Sequence, residues 1–165
     1  MNHLEQLVTE WYEYQGYFVR QNVRVAKRER GGYDGELDVV AYNPSTDHLA
    51  HIEPSLDSHS WEKREKRFSK KFKIGRQFIP GLFGGVDLPE KIEQIALLAH
   101  ASKVNHQTIG GGQVVLVSEL IGEIMNDLTA KEFSKEAVPE NLPLIRTLQL
   151  AATHDSEVLS ALKTK

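Results

Sequence analysis

The sequence predicts a mixed α/β domain followed by trailing helices. Three observations carry that expectation: a helical apolar period at the N-terminus, three consecutive strand-like segments separated by turn chemistry, and a long helical period followed by two more apolar segments. With 165 residues and 40% hydrophobic content, the chain can bury a sheet with helices packed on it around one core. The expected order is α-β-β-β-α-β-β. Residues 1–133 form the expected core and residues 134–165 a helical extension packed on it.

Taking the elements in order, residues 4–15 place Leu4, Leu7, Val8 and Trp11 at helical spacing, and Gly16 stands where a helix should stop. Glu10 and Glu13 fall on the polar side, and Glu5 sits at the margin of the apolar stripe, where it can face the protein. Residues 17–26 (YFVRQNVRVA) are aromatic and β-branched, as a strand requires. A charged loop over 27–32 leads to a hairpin with arms 36–42 and 48–53, joined by Asn43-Pro44-Ser45-Thr46-Asp47. Pro54 cannot donate to a ladder, so the second arm is expected to stop there. Residues 59–79 form a long helix with Trp61, Phe68, Phe72, Gly75 and Ile79 on one face and Lys63, Lys66, Arg67, Lys70 and Lys73 on the opposite one. After the break at 80–85, residues 92–99 read as a buried strand, with a helix left open by their period. Residues 113–117 read as a clearer strand. The triplet Gly110-Gly111-Gly112 lacks the Lys-Ser/Thr of a phosphate-binding loop and precedes a strand, so it reads as a turn. Helices over 118–133, 144–154 and on to 162 follow, interrupted by Pro139 and Pro143. Leu120, Ile121, Ile124, Met125 and Leu128 look like core. The apolar stretch 142–150 suits either a homodimer interface or a cap on the sheet.

Composition removes whole classes of function. With no cysteine there is no disulfide framework, thiolate metal site or cysteine nucleophile. No apolar run approaches the ~20 residues of a membrane helix, and the start MNHLEQLV lacks the basic and apolar regions of a signal peptide. The expected location is the cytoplasm. The net charge of −3 conceals an asymmetry: residues 59–78 carry eight basic residues against Glu62 and Glu65, a local balance of +6, which leaves −9 elsewhere. Such a basic helix is either a solvated face or a track for phosphates.

Two carboxylates stand out. Asp38 and Glu53 lie on adjacent arms of the hairpin, within strands that otherwise look buried. Acidic groups there need compensation, and a divalent cation satisfies two of them together. Among the seven histidines, His48, His51 and His59 lie near Glu53 without paired ligand spacing, and His51 shares its strand face as a neighbour of the site or a core residue. Ser55, Ser58 and Ser60 have no defensible His-Asp partners for serine hydrolysis.

These residues, in this order, resemble the restriction-endonuclease-like PD-(D/E)xK nuclease fold, nearest in pattern to Mrr-type restriction enzymes and archaeal Holliday-junction resolvases. Glu5 precedes Gly16-Tyr17 as the glutamate of the first helix precedes a glycine-aromatic pair in those families. Asp34-Gly35-Glu36-Leu37-Asp38 matches their D-G-x-x-D strand, and Glu53-Pro54-Ser55 stands where they have E-x-K or Q-x-K. The resemblance covers residues 4–78 and implies a three-layer α-β-α core. It implies metal-dependent hydrolysis of DNA with Mg²⁺ or Mn²⁺ at Asp38 and Glu53, helped by the Pro54 carbonyl, with Glu5 in support and Lys63, Lys66, Arg67, Lys70 and Lys73 on the phosphates. The lysine of the motif is Ser55 here. Either its function has moved to the following helix, with Lys63, Lys66 or Lys70 as candidates, or the protein is catalytically silent and binds nucleic acid or a protein partner.

Overall fold

The computed structural model describes residues 2–163. The N-terminal helical period forms α1 (His3–Tyr14), started by a capping box: Asn2 accepts from the Leu4 and Glu5 amides, and Glu5 accepts from the Asn2 amide. Leu4, Val8 and Trp11 are buried as expected, but so are Thr9 and Glu10. Four consecutive buried residues span a full turn. The helix is therefore enclosed there on all sides, and Glu10 is not on a polar face. Its carboxylate accepts from Gln6 Nε2 at 2.9 Å.

Three strands follow, β1 (Phe18–Lys27), β2 (Tyr33–Asn43) and β3 (His48–Ser55), paired antiparallel in that order. After α2 (Trp61–Phe78) and a short 3₁₀ turn, β4 (Glu93–Leu98) lies parallel to β3, settling the ambiguous segment as a strand. The sheet is completed by β5 (Thr108–Ile109) and β6 (Gly112–Leu116), giving six mixed strands in the order β1-β2-β3-β4-β6-β5. The two-residue strand β5 is additional to the expected order. It pairs with β6 through a two-residue turn, Gly110-Gly111, whose φ angles of 57° and 83° suit a tight hairpin.

β3 runs on through Pro54 to Ser55, in register with Leu97 and Leu98 of β4. The expected stop at Pro54 does not occur because β2 and β3 are paired only as far as Val39 and Ile52. Beyond that point one side of β3 has no strand partner, and a missing amide interrupts nothing.

Two apolar clusters hold α2 to the sheet. Leu37, Val40, Tyr42, Leu49 and Ile79 form one, with Ile74 and Phe78 packed against it; Phe68, Phe72, Ala96, Leu98, Ile109 and Val114 form the other. The chain divides into two compact units, Met1–Val117 and Ser118–Lys165. The second unit contains α3 (Val117–Thr129) from its second residue, α4 (Pro143–Thr153) and α5 (Asp155–Lys163). Within that unit Gln149 ties α4 to the preceding loop, accepting from the Val138 amide at 2.8 Å and donating to the Glu136 carbonyl at 2.9 Å. In the stretch 142–150, Leu142 and Ile145 are buried and Leu150 is exposed. No helix of the described residues is long and apolar enough to cross a membrane.

Gly75 sets the approach of α2 to the sheet. A Cβ there would lie 2.4 Å from His51 Nδ1 and 2.5 Å from Cε1. Glycine in a helix interior ordinarily costs about 1 kcal/mol relative to alanine. Gly75→Ala is nonetheless expected to destabilise by about 1–3 kcal/mol through overpacking. Gly122→Ala in α3, where a Cβ meets nothing within 4 Å, is expected to stabilise by up to ~1 kcal/mol. Urea unfolding of the two variants checks the opposite signs.

Candidate active site

β2 and β3 separate just past the Val39–Ile52 pair, and the next residue on each strand is Asp38 or Glu53. Where a ladder would continue, the Asp38 amide instead donates to Glu53 Oε1 at 3.4 Å. The two carboxylates thus meet at the mouth of the parted strands, Glu53 fully buried and Asp38 largely so.

A lysine of α2 closes the gap. Lys71 Nζ donates to Asp38 Oδ1 at 2.9 Å and Oδ2 at 2.8 Å, and it is also hydrogen-bonded to Glu53 Oε2. The lysines singled out from the sequence lie elsewhere on the helix. Lys63, Lys66, Lys70 and Lys73 are exposed, and Lys66 pairs with Glu62 at 2.8 Å. The signal for Lys71 was helical phase. It lies three residues after Phe68 and four before Gly75, within the buried stripe, and Arg64 is the other basic residue in that phase. Glu5, expected in support of the site, has its carboxylate engaged by Asn2 in the capping box.

His51 holds Glu53 from the other side. It is completely buried, its Nε2 lies 2.8 Å from Glu53 Oε1, and its Nδ1 lies 3.1 Å from Gln94 Nε2. Burial, reinforced by the Lys71 and Arg76 charges, pushes the imidazole down to about 3, so it is neutral. Gln94 Nε2 also donates to the Phe72 carbonyl at 2.9 Å, while its Oε1 accepts from Arg76. With the Gln94 amide donating, His51 Nδ1 accepts and its Nε2–H donates to Glu53. A chain of four side chains, Arg76, Gln94, His51 and Glu53, therefore fixes one carboxylate oxygen.

The electrostatics follow from crowding. Burial, then the hydrogen bond and charge of Glu53, push Asp38 up to about 7, against the pull of Lys71. Burial opposes the Lys71 ammonium, but Glu53 and Asp38 outweigh it and raise its pKa. Lys71 is a fixed cation at neutral pH.

Ser55, at the end of β3, faces a second cluster. Its hydroxyl donates to Asp57 Oδ2 at 2.5 Å and accepts from Arg67 Nη2 at 2.8 Å; Arg67 Nη1 also binds Asp57. The buried Arg64 reaches Asp57 Oδ1 at 3.2 Å and the His100 carbonyl at 2.8 Å. Burial opposes ionisation of Asp57, but hydrogen bonds from Ser55, the His59 amide, Arg67 and Arg64 hold it well below the usual carboxylate range. The cluster pins the end of β3 to the start of α2, and it occupies the Nη groups of Arg67 that the sequence assigned to phosphates. Beside it a groove of about 240 Å³ is lined by Asp34, Gly35, Glu36, Arg67, Lys70, Lys71 and Ile74.

Among the described residues, no three acidic, histidine or cysteine side chains converge as a metal-binding group. Comparison with known proteins matches the chain to no family model, no curated protein and no solved structure.

The crowding has a measurable sign. Asp38 is raised from its ordinary value of 3.8 to about 7, so the native state holds a proton there that the unfolded chain has lost. Its contribution to stability is complete below pH ~4 and is lost as pH rises through ~7. Asp38→Asn is expected to flatten that decline and to be more stable than the parent at pH 8 by about 1–2 kcal/mol. Denaturant unfolding across pH 4–8 checks it.

Proposed function

We propose that this protein is a metal-dependent nuclease that hydrolyses phosphodiester bonds of DNA on a restriction-endonuclease-like core. The observation that carries this reading is Lys71: a cation delivered by α2 to the same two carboxylates that the sequence selects for a metal. It supplies from the helix what Ser55 cannot supply from the strand. The order of elements up to β4, with the carboxylates at the parting of β2 and β3, supports the fold assignment.

The donor set fits a hard divalent cation. Asp38 and Glu53 present only oxygens, and Mg²⁺ or Mn²⁺ is commonly held by one or two carboxylates with substrate phosphates and water completing its shell. When bound, such an ion lowers the pKa of a water and offsets charge on the scissile phosphate. The protein's own groups do the rest. Lys71, held protonated, stabilises negative charge developing on the phosphoryl oxygens. His51 orients Glu53. The exposed Lys63, Lys70 and Lys73 line the approach along α2 and attract the phosphate backbone.

The competing reading is a nuclease-fold protein that binds nucleic acid without cleaving it, favoured by Ser55 in the motif position. Incubation with supercoiled plasmid and a branched oligonucleotide, with Mg²⁺ or Mn²⁺ and an EDTA control, separates the two. Nicking that is lost with EDTA and reduced at least ~10²-fold in Asp38→Ala and Lys71→Met is the expected result. A folded parent protein that shifts DNA in a salt-sensitive manner without nicking it would establish the binding reading. Replacing Lys63, Lys70 and Lys73 together by alanine is expected to weaken DNA binding and to lower the slope of log K against log salt by about 2–3.

A further inference from the structure

On the reading of Asp38 and Glu53 as metal ligands, the protein's own hydrogen bonds stand in the way of the ion. All four carboxylate oxygens of the pair are occupied by the protein itself. Lys71 Nζ takes both oxygens of Asp38 and Oε2 of Glu53, while Glu53 Oε1 accepts from His51 Nε2 and, more distantly, from the Asp38 amide. A divalent cation needs at least some of these oxygens. It cannot share the space between the carboxylates with an ammonium, which would repel it at contact range in a partly desolvated site.

The geometry points to Lys71 as a gate: it fills the metal's place in the free protein, and a phosphodiester in the adjoining groove draws it out so that the cation can enter. Two features make the exchange possible. Lys71 is the partly exposed member of the cluster, with 29% of its side chain accessible, so its flexible stem can turn without unfolding the helix. It also lines the groove between Asp34-Gly35-Glu36 and α2, next to Lys70. Empty, that groove offers Lys71 only the Asp34 and Glu36 carboxylates, which already pair with Arg28 and Arg24. A phosphate there gives it a further partner, while Lys70 helps to hold the anion. Substrate and metal then bind with positive coupling, because each favours the state in which Lys71 has left the carboxylates.

The test is Mn²⁺ binding, read from the free-ion electron paramagnetic resonance signal at fixed pH. The samples are the parent protein, Lys71→Met and Lys71→Gln, each alone and with a short DNA duplex carrying phosphorothioate linkages. Duplex-only blanks and Glu53→Gln correct for ions held by the DNA. The parent is expected to bind Mn²⁺ weakly alone and about tenfold or more tightly with the duplex. Both Lys71 variants are expected to bind about tenfold more tightly than the parent without DNA, and to gain little from it. Parent-like or weaker affinity in both folded variants would overturn the gate while leaving the metal site standing. No Glu53-dependent Mn²⁺ binding by any of the proteins, with or without duplex, would overturn the metal reading and the gate with it.

Discussion

The structure turns on a single electrostatic constraint: two carboxylates brought together where β2 and β3 part, with one ammonium between them. Two ionised carboxylates this close, in a largely desolvated position, repel each other strongly. Burial first, and the hydrogen bond and charge of Glu53 after it, raise Asp38 to about 7. A protein retaining such a pair must neutralise it, and it does so with the Lys71 ammonium and with a proton that Asp38 keeps until the pH rises through about 7.

Delivering Lys71 requires α2 to lie close on the sheet, and that is a matter of packing. Gly75, one turn after Lys71, has no side chain because the ring of His51 fills the space. Gly35 gives way similarly, a Cβ there lying 2.9 Å from Ile74 Cδ1. Phe68 and Phe72, buried against Ala96, Leu98 and Val114, hold the same helix face down. The hydrogen-bonded chain from Arg76 through Gln94 and His51 keeps Glu53 oriented while this face is buried. Such a chain is stabilising only when every buried member is satisfied, and each member here has its partners. Packing and polar networks therefore serve one end, the placement of two acidic groups and a lysine.

Much of this was legible in the sequence, for physical reasons that differ by residue. Asp38 and Glu53 stood out because acidic residues in apolar strands demand an explanation, and the turn at 43–47 fixed them on neighbouring arms. Lys71 was hidden because a run of eight basic residues reads first as one charged face; the stripe marked by Phe68, Phe72 and Gly75 contains its position, but charge drew attention away from phase. Glu10 was misplaced because a helical wheel assumes one buried stripe, whereas α1 is enclosed over a whole turn. The continuation of β3 past Pro54 was hidden for another reason. Proline is excluded from a strand only where a neighbour needs its amide, and which strands are neighbours at that point is a tertiary fact. His51 was legible as a neighbour of Glu53, but its tautomer depends on Gln94, forty-three residues away in sequence.

The central claim is that Lys71 and the paired carboxylates form one energetically coupled unit. A double-mutant cycle between Lys71→Met and Glu53→Gln, measured by denaturant unfolding at pH 8, tests it most directly. A coupling energy of about 1–3 kcal/mol is predicted, the double variant losing much less than the sum of the single losses. Single losses that add to within ~0.5 kcal/mol would mean that Lys71 does not hold the carboxylates together in solution, and would contradict the claim.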